Sequence, residues 1–369
     1  MRSVSRLATV IALGAVGAST ANAQTPVVTP LQFSGVVYAD WQNGGTTAQR
    51  ATNKFDLTRA YLNFVMPSGD NVTVRVTTDV YQNTNTATSG AYYSGWTARL
   101  KYAFMQWSAW QGTGTAPASL SFRFGLEQTP EIDMMEGYWQ RGITNTPLDY
   151  FGFGTSSDLG AVVMYTLPGK QGNFYGGVFN GNGYGSYETN RFKNVNVRFS
   201  WTPLASSEGV GVLTSLAISP YYQKGYNTNA FDATAPGLQN DLWGIHAAIQ
   251  DPRVTVGAEY DRRTTGSNTA VNANVTTVAG AVYSAFTIVR PFAFINHTKT
   301  NPWSLVLRAD QYTPNTATGP YQRFLIGGIG YDISSKTTVY ADLQNLEGHN
   351  YTANAPDSKA FYFHFVIGF

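Results

Sequence analysis

The chain has 369 residues, of which 43% are hydrophobic, 14% aromatic and only 12% charged, against roughly 25% charged in an ordinary soluble domain. That composition excludes a charged disordered chain, and the absence of cysteine excludes a disulfide framework, thiolate metal sites and a Cys nucleophile. Lys plus Arg number 24 against 22 Asp plus Glu, with four scattered histidines, so no basic nucleic-acid surface and no metal or cofactor site is expected.

Residues 1–23 carry Arg2 and Arg6, then the apolar run Leu7 to Val16, then small residues ending at Ala23. This is the layout of a secretory signal peptide cleaved before Gln24. Its removal leaves acidic and basic residues in balance. Beyond Gln24 no uninterrupted apolar segment reaches the roughly 18 residues of a membrane helix. An exported chain of this kind enters a membrane only as a closed barrel, which pairs every strand's backbone without water. The expected organisation is therefore a signal peptide, 1–23, and a single all-β domain, 24–369, a transmembrane antiparallel β-barrel in the outer membrane.

Period-two segments of about ten residues recur along the chain. Candidate strands fall at 31–41, 53–66, 71–82, 97–107, 119–127, 158–167, 173–180, 191–202, 212–223, 240–250, 253–263, 276–298, 303–313, 321–333, 336–345 and 358–369, about sixteen in all. In the third, Val72, Val74, Val76 and Val80 oppose Thr73, Arg75, Thr77, Asp79 and Tyr81. In the eighth, Val195, Val197, Phe199 and Trp201 oppose Asn194, Asn196, Arg198 and Ser200. A soluble sandwich also alternates, but here charges fall mid-strand opposite bulky, uncharged faces, which suits a wet lumen inside a lipid-facing wall. Segment 276–298 is long and contains Arg290 and Pro291; an even strand total favours reading it as one strand. Short turns such as Pro67–Asp70 alternate with longer connections, and Trp41, Trp107, Trp110, Trp201, Trp243 and Trp303 lie near strand ends, as an aromatic girdle requires. The final strand places Phe361, Phe363, Phe365, Ile367 and Phe369 on one face. Such an aromatic carboxy-terminal end resembles the signal read by the barrel assembly machinery.

Several segments resemble the phosphate-selective porin O and P family and its porin-like relatives. They are Ser119 to Pro130, Tyr138-Trp139-Gln140-Arg141, Asp158-Leu159-Gly160, Asn180-Gly181-Asn182-Gly183, Phe55 to Leu62, Arg308-Ala309-Asp310 and Tyr321 to Asp332. The resemblance implies a sixteen-stranded barrel, usually a homotrimer embedded in outer-membrane lipid, that passes small polar solutes or ions, anions such as phosphate among them. The strongly cationic pore of the phosphate-selective members has no counterpart in a chain so poor in lysine.

Strand parity turns the basic residues Arg59, Arg75, Arg99, Lys101, Arg123, Arg198 and Arg308 and the acidic residues Glu127, Glu259, Asp261, Asp310 and Asp342 toward the lumen. The connection 128–157 is long enough to be functional. It carries Glu131, Asp133 and Glu136, expected to fold inward opposite Arg59, Arg75, Arg99 and Arg123 as a charged constriction. Tyr92, Tyr93, Trp96, Tyr138 and Trp139 suit either loop packing or stacking on sugars. Two other classes stand beside the channel. His246 and His364 have lumen parity but no i, i+2 partner, so a hydrolase site would have to assemble across strands. The loops 83–95, 225–240 and 264–274, rich in Thr, Asn and Gly, suit a non-conducting adhesive barrel. No enzyme is expected.

Overall fold

The computed structural model describes residues 31–46, 52–83, 95–205, 210–227, 237–267, 276–295, 301–350 and 357–369. The expected signal peptide lies outside these residues, as do most of the loops 83–95, 225–240 and 264–274, including Tyr92 and Tyr93.

Sixteen antiparallel strands follow in chain order. They are β1 (Gln32–Thr46), β2 (Asn53–Pro67), β3 (Val72–Asn83), β4 (Gly95–Gln111), β5 (Ser119–Gln128), β6 (Ser157–Thr166), β7 (Gly172–Phe179) and β8 (Asn194–Trp201), then β9 (Ala217–Lys224), β10 (Asn240–Asp251), β11 (Val254–Ser267), β12 (Thr276–Val289), β13 (Trp303–Thr313), β14 (Tyr321–Asp332), β15 (Thr337–His349) and β16 (Ser358–Gly368). Each pairs with its sequence neighbours, and β1 meets β16 from Val36↔Gly368 to Thr46↔Ser358, closing the ring. Beyond β16, Phe369 exchanges backbone hydrogen bonds with Gly35 and its ring lies 5.8 Å from that of Phe33, so the end of the chain is tied to β1.

The alternation is carried into burial. On β13, Trp303, Leu305 and Leu307 are exposed while Ser304, Val306, Arg308 and Asp310 are buried, and β8 repeats the pattern with Asn194, Asn196, Arg198 and Ser200 turned in. The outward band of Phe124, Phe199, Ile245, Leu325, Ile329 and Leu343 is exposed among the described residues. Trp107, Trp201 and Trp303 flank it at the end of the short turns, and Trp96 and Trp243 at the other end. Trp107 stacks on Phe122 and Trp303 meets Tyr331 edge-on. No described helix is long and apolar enough to cross a membrane. The closed wall with its apolar exterior makes the fold a transmembrane antiparallel β-barrel.

Several boundaries differ from the sequence expectation. Strands β1, β4, β11 and β15 end four or five residues later than expected. The strand expected at 212–223 begins only at Ala217, because a 3-10 turn occupies Gly211–Ser215. The strand expected at 276–298 ends at Val289, where Pro291, lacking an N–H for the ladder, starts the short helix α3 (Pro291–Ile295). Residues 191–193 lie outside β8.

Strict alternation also breaks at bulges. On β4 the register shifts opposite Thr77 and Thr78, and Lys101 and Tyr102 are both buried, so adjacent residues turn inward together. Nearby, Gly125 of β5 has φ of 133°, and a Cβ there would lie 2.3 Å from the Ala103 carbonyl oxygen. Gly125→Val is expected to meet both the forbidden backbone region and that clash. Refolded material should show a much smaller fraction of heat-modifiable, folded barrel on unheated gels than the parent; an unchanged fraction would contradict this account of β5.

Candidate functional site

Residues 129–156 connect β5 to β6. Pro130 and Pro147 each open a short helix, α1 (Pro130–Glu136) and α2 (Pro147–Tyr150), at the position where a missing N–H does no harm. The segment touches the wall on every side. Gly142 packs so tightly on β1 and β16 that a Cβ would lie 2.2 Å from Val366 Cγ2 and 3.2 Å from Tyr38. Glu136 lies 3.7 Å from Lys101 of β4. Arg198 of β8 donates to the Pro130 carbonyl at 2.8 Å, Arg308 of β13 to that of Asn145 at 2.7 Å, and Arg263 of β11 to that of Gly152. A segment that meets opposite arcs of one closed ring runs across its interior.

Apolar contacts hold it there. Met135, Trp139 and Ile143 pack on the inward side chains Phe286, Ile288, Val306, Phe324, Ile326 and Tyr340 of β12 to β15. Ile132, Leu148 and Phe153 pack on Tyr221, Leu242 and Val282. Tyr150 stacks on Phe324 at 4.5 Å, and the Trp139 ring lies 5.2 Å from Phe286 and under the Arg308 guanidinium at 4.8 Å. Trp139 and Tyr138 therefore serve packing: the Trp139 indole N–H is taken up by the Thr144 carbonyl and Tyr138 packs against the same apolar cluster.

Two cavities flank the segment, one against β1 to β3, β15 and β16 and the other against β1 to β4. One, of about 430 Å³, is lined by Tyr38, Asp40, Arg59, Arg141, Tyr150 and His364 among others. The other, of about 350 Å³, is lined by Tyr61, Arg75, Lys101, Tyr102, Asp133 and Glu136, and shares Tyr38 and Arg141 with the first. Arg141 pairs with Glu136 and, at 3.1 Å, with Asp149. The Lys101 ammonium lies 4.7 Å from the centre of the Tyr61 ring.

The three loop carboxylates do not face the arginine wall as a group, which corrects the arrangement expected from sequence. Glu131 is buried on the far side, accepting from Asn196 of β8 at 2.9 Å. Asp133 sits 3.6 Å from Arg198. Asp133 also lines the second cavity with Arg75, and Glu136 reaches Lys101 of β4. Arg59 and Arg99 both turn to the buried Asp79, at 2.9 and 3.1 Å. Arg75 donates to Asn63 and Thr77, and Arg123 to Gln106 and Gln128. Glu127 is buried beside the Tyr175 hydroxyl. Glu259, Asp261, Arg308 and Asp310 point inward yet are buried rather than open to the lumen: His246 lies 2.9 Å from Asp261, and Asp310 clasps Arg308 at 2.7 Å. Asp342 lies 3.0 Å from His364. Sequence reasoning missed Arg141 as a site residue, along with Asp79, Tyr38, Tyr61 and Tyr102. Arg141 stood in a quoted motif; the tyrosines carried no signal beyond parity, and the β4 bulge hides that of Tyr102.

No family model matches the sequence, and no curated protein is similar to it. Solved structures do resemble the fold. An anion-selective porin from Comamonas acidovorans is 10% identical with a TM-score of 0.61, covering 92% of this chain and 99% of that one. A loop-deleted OmpT, an outer membrane protein of Vibrio cholerae, is 11% identical at 0.60, covering 92% and 99%. OmpF of Salmonella typhi, in complex with daunomycin, is 12% identical at 0.59, covering 92% and 97%. At these identities the likeness is one of fold: a porin-like barrel.

Burial pushes the Glu131 carboxyl up from its ordinary 4.5 to about 7. The folded barrel thus holds this proton more tightly than the unfolded chain does. Stability should fall as pH rises from about 4.5 to about 7 and level off above, by roughly 3 kcal/mol from this group alone. Glu131→Gln, which keeps an oxygen for Asn196, is expected to remove that dependence, raising the denaturation midpoint at pH 8 while changing little at pH 4. Parallel urea titrations of parent and variant in detergent would check it; equal midpoints at pH 8 would contradict the burial argument. Trp139→Ala removes the largest wedge between segment and wall, a change that costs about 3 to 5 kcal/mol in a well-packed core. Cleavage within 129–156 by added protease should then appear in an otherwise intact barrel, and its absence would show that the wedge is dispensable.

Proposed function

We propose that the chain is an outer-membrane porin, a passive diffusion channel for small hydrophilic solutes and ions, with residues 129–156 forming its constriction. The observation that carries this reading is the pair of cavities that meet at Tyr38 and Arg141. A wet passage through a barrel narrows where an inserted segment approaches the wall, and the side chains at that waist set size and charge preference. Here the waist has the Arg141 guanidinium held by Glu136 and Asp149 on one side and Tyr38 on the other, with Tyr61 and Lys101 just beyond.

The lining of the second cavity holds Arg75, Lys101 and Arg141 against Asp133 and Glu136, a slight excess of basic groups. The channel is therefore proposed to prefer small anions weakly, phosphate among them, without the strong selectivity of a cationic ladder. The likeness to a structure described as an anion-selective porin agrees with this, and the described trimer form of Vibrio cholerae OmpT supports association of three copies through the outer face. Export by the segment 1–23, cleavage after Ala23 and delivery to the assembly machinery through the Phe369 end complete the reading.

Planar-bilayer recordings of the refolded mature chain test it. Arg141→Ala is expected to enlarge single-channel conductance and to move the reversal potential under a salt gradient toward cations; Glu136→Gln should move it toward anions. A folded barrel that opens no channels would favour the adhesive barrel, and two variants indistinguishable from the parent would remove the constriction from 129–156. Crosslinking in detergent, with a band at three times the monomer mass, checks the oligomer.

A further inference from the structure

We propose that His246, Glu259 and Asp261 form a binding site for a divalent transition-metal ion, of which Zn²⁺ is the type, built into the inner wall beneath the inserted segment. The three come from adjacent strands: His246 of β10 stands directly opposite Glu259 of β11, and Asp261 lies two residues further on the same face. All three side chains are fully buried. His246 Nε2 lies 2.9 Å from Asp261 Oδ1 and 3.4 Å from Glu259 Oε2, and one ligand atom from each residue falls within 4.8 Å of the others. Ligands at about 2.0 to 2.1 Å around a tetrahedral ion stand about 3.3 Å apart; the two His246 separations are close to that, and the carboxylate pair lies within 4.8 Å.

Charge and hydrogen bonding point the same way. Two carboxylates and a neutral imidazole carry two negative charges, and a buried charge must be compensated. Arg308, on the same inner wall, is already committed to Asp310 through Nε and Nη2. Neither Glu259 oxygen has a hydrogen-bond partner among the described residues, although the side chain is fully buried and its Oε2 is turned to the imidazole. Asp261, by contrast, is oriented: the Tyr221 hydroxyl donates to its Oδ1 at 2.7 Å, the outer support that metal-bound carboxylates commonly have. An imidazole with two carboxylates is a mixed nitrogen and oxygen set, which suits Zn²⁺ above the oxygen-preferring Ca²⁺ or Mg²⁺. A bound ion would clamp β10 to β11 under Ile132 and Tyr221, where the segment docks.

The rival account places protons on the cluster instead of a metal, and stoichiometry separates the two. The mature chain is refolded in detergent with and without ZnCl₂, freed of loose metal, and its zinc measured per folded barrel by mass spectrometry. One equivalent is expected in the parent, with at least a tenfold weaker hold in Glu259→Gln and in His246→Asn when both are titrated against a chromogenic chelator. Asp342→Asn, at the other His–Asp pair, should retain zinc as the parent does. A parent that folds yet binds no zinc, or variants that retain it equally, would overturn the site. Should neither site variant fold, Co²⁺ in the parent decides: visible bands of a low-symmetry site with one nitrogen and mixed oxygen ligands support the proposal, and the spectrum of free aqueous Co²⁺ ends it.

Discussion

The closure of β1 onto β16 is the constraint on which everything else rests. An open edge would present a row of N–H and C=O groups to hydrocarbon, where each unsatisfied group costs several kcal/mol. Eleven residue pairs, Val36↔Gly368 through Thr46↔Ser358, remove that edge. Once the ring is closed, register is fixed all round it, because a slip of one residue would send the outward Leu305 and Leu307 into the lumen and Arg308 into lipid. Bulges are the permitted exception, and the one on β4 opposite Thr77 and Thr78 delivers Lys101 and Tyr102 to the interior together.

Closure also creates an interior that must be occupied or wet. On the arc β12 to β15 the inward face is apolar at Phe286, Ile288, Val306, Phe324 and Ile326, which water would solvate poorly. Met135, Trp139 and Ile143 cover that patch. On the arc β2 to β4 the inward side chains include Arg59, Arg75, Asp79, Arg99 and Lys101 beside Tyr61 and Tyr102, and the two cavities lie along this arc and the adjoining β1, β15 and β16. The inserted segment packs on the greasy part of the wall and leaves space where the wall is polar and charged, so the placement of the cavities follows from the hydrophobic effect acting inside a barrel.

Much of this was legible in the sequence. Sixteen strands, the terminal Phe369 face and the outward tryptophans follow from period-two patterning and length. What parity could not supply was partnership. It turned Arg59 and Arg99 inward but did not reveal that Asp79 binds both, because that depends on the register of three strands. It placed Glu131 in the long connection without showing that α1 would turn it toward Asn196 instead of the arginines. One signal was present and went unread. Phe286, Ile288, Val306, Phe324 and Ile326 sit at lumen parity among polar neighbours, and apolar residues facing a wet lumen announce something that covers them.

If the barrel is the channel proposed above, the pairing of charges inside it bears directly on how that channel discriminates. Arg59 and Arg99 share Asp79, Arg308 is clasped by Asp310, and Arg141 is held by Glu136 and Asp149. A paired charge acts at a distance as a dipole, whose field falls faster than that of a lone ion, and salt screens what is left within about 10 Å. Long-range attraction of one sign is therefore weak, in keeping with a chain of 24 basic and 22 acidic residues. In such a channel, the groups that act on a solute at contact distance are those at the waist itself, Arg141 with its partners Glu136 and Asp149. On the proposed reading, selection by this barrel is a matter of size, polarity and orientation at Arg141 and Tyr38 first, and of net charge second.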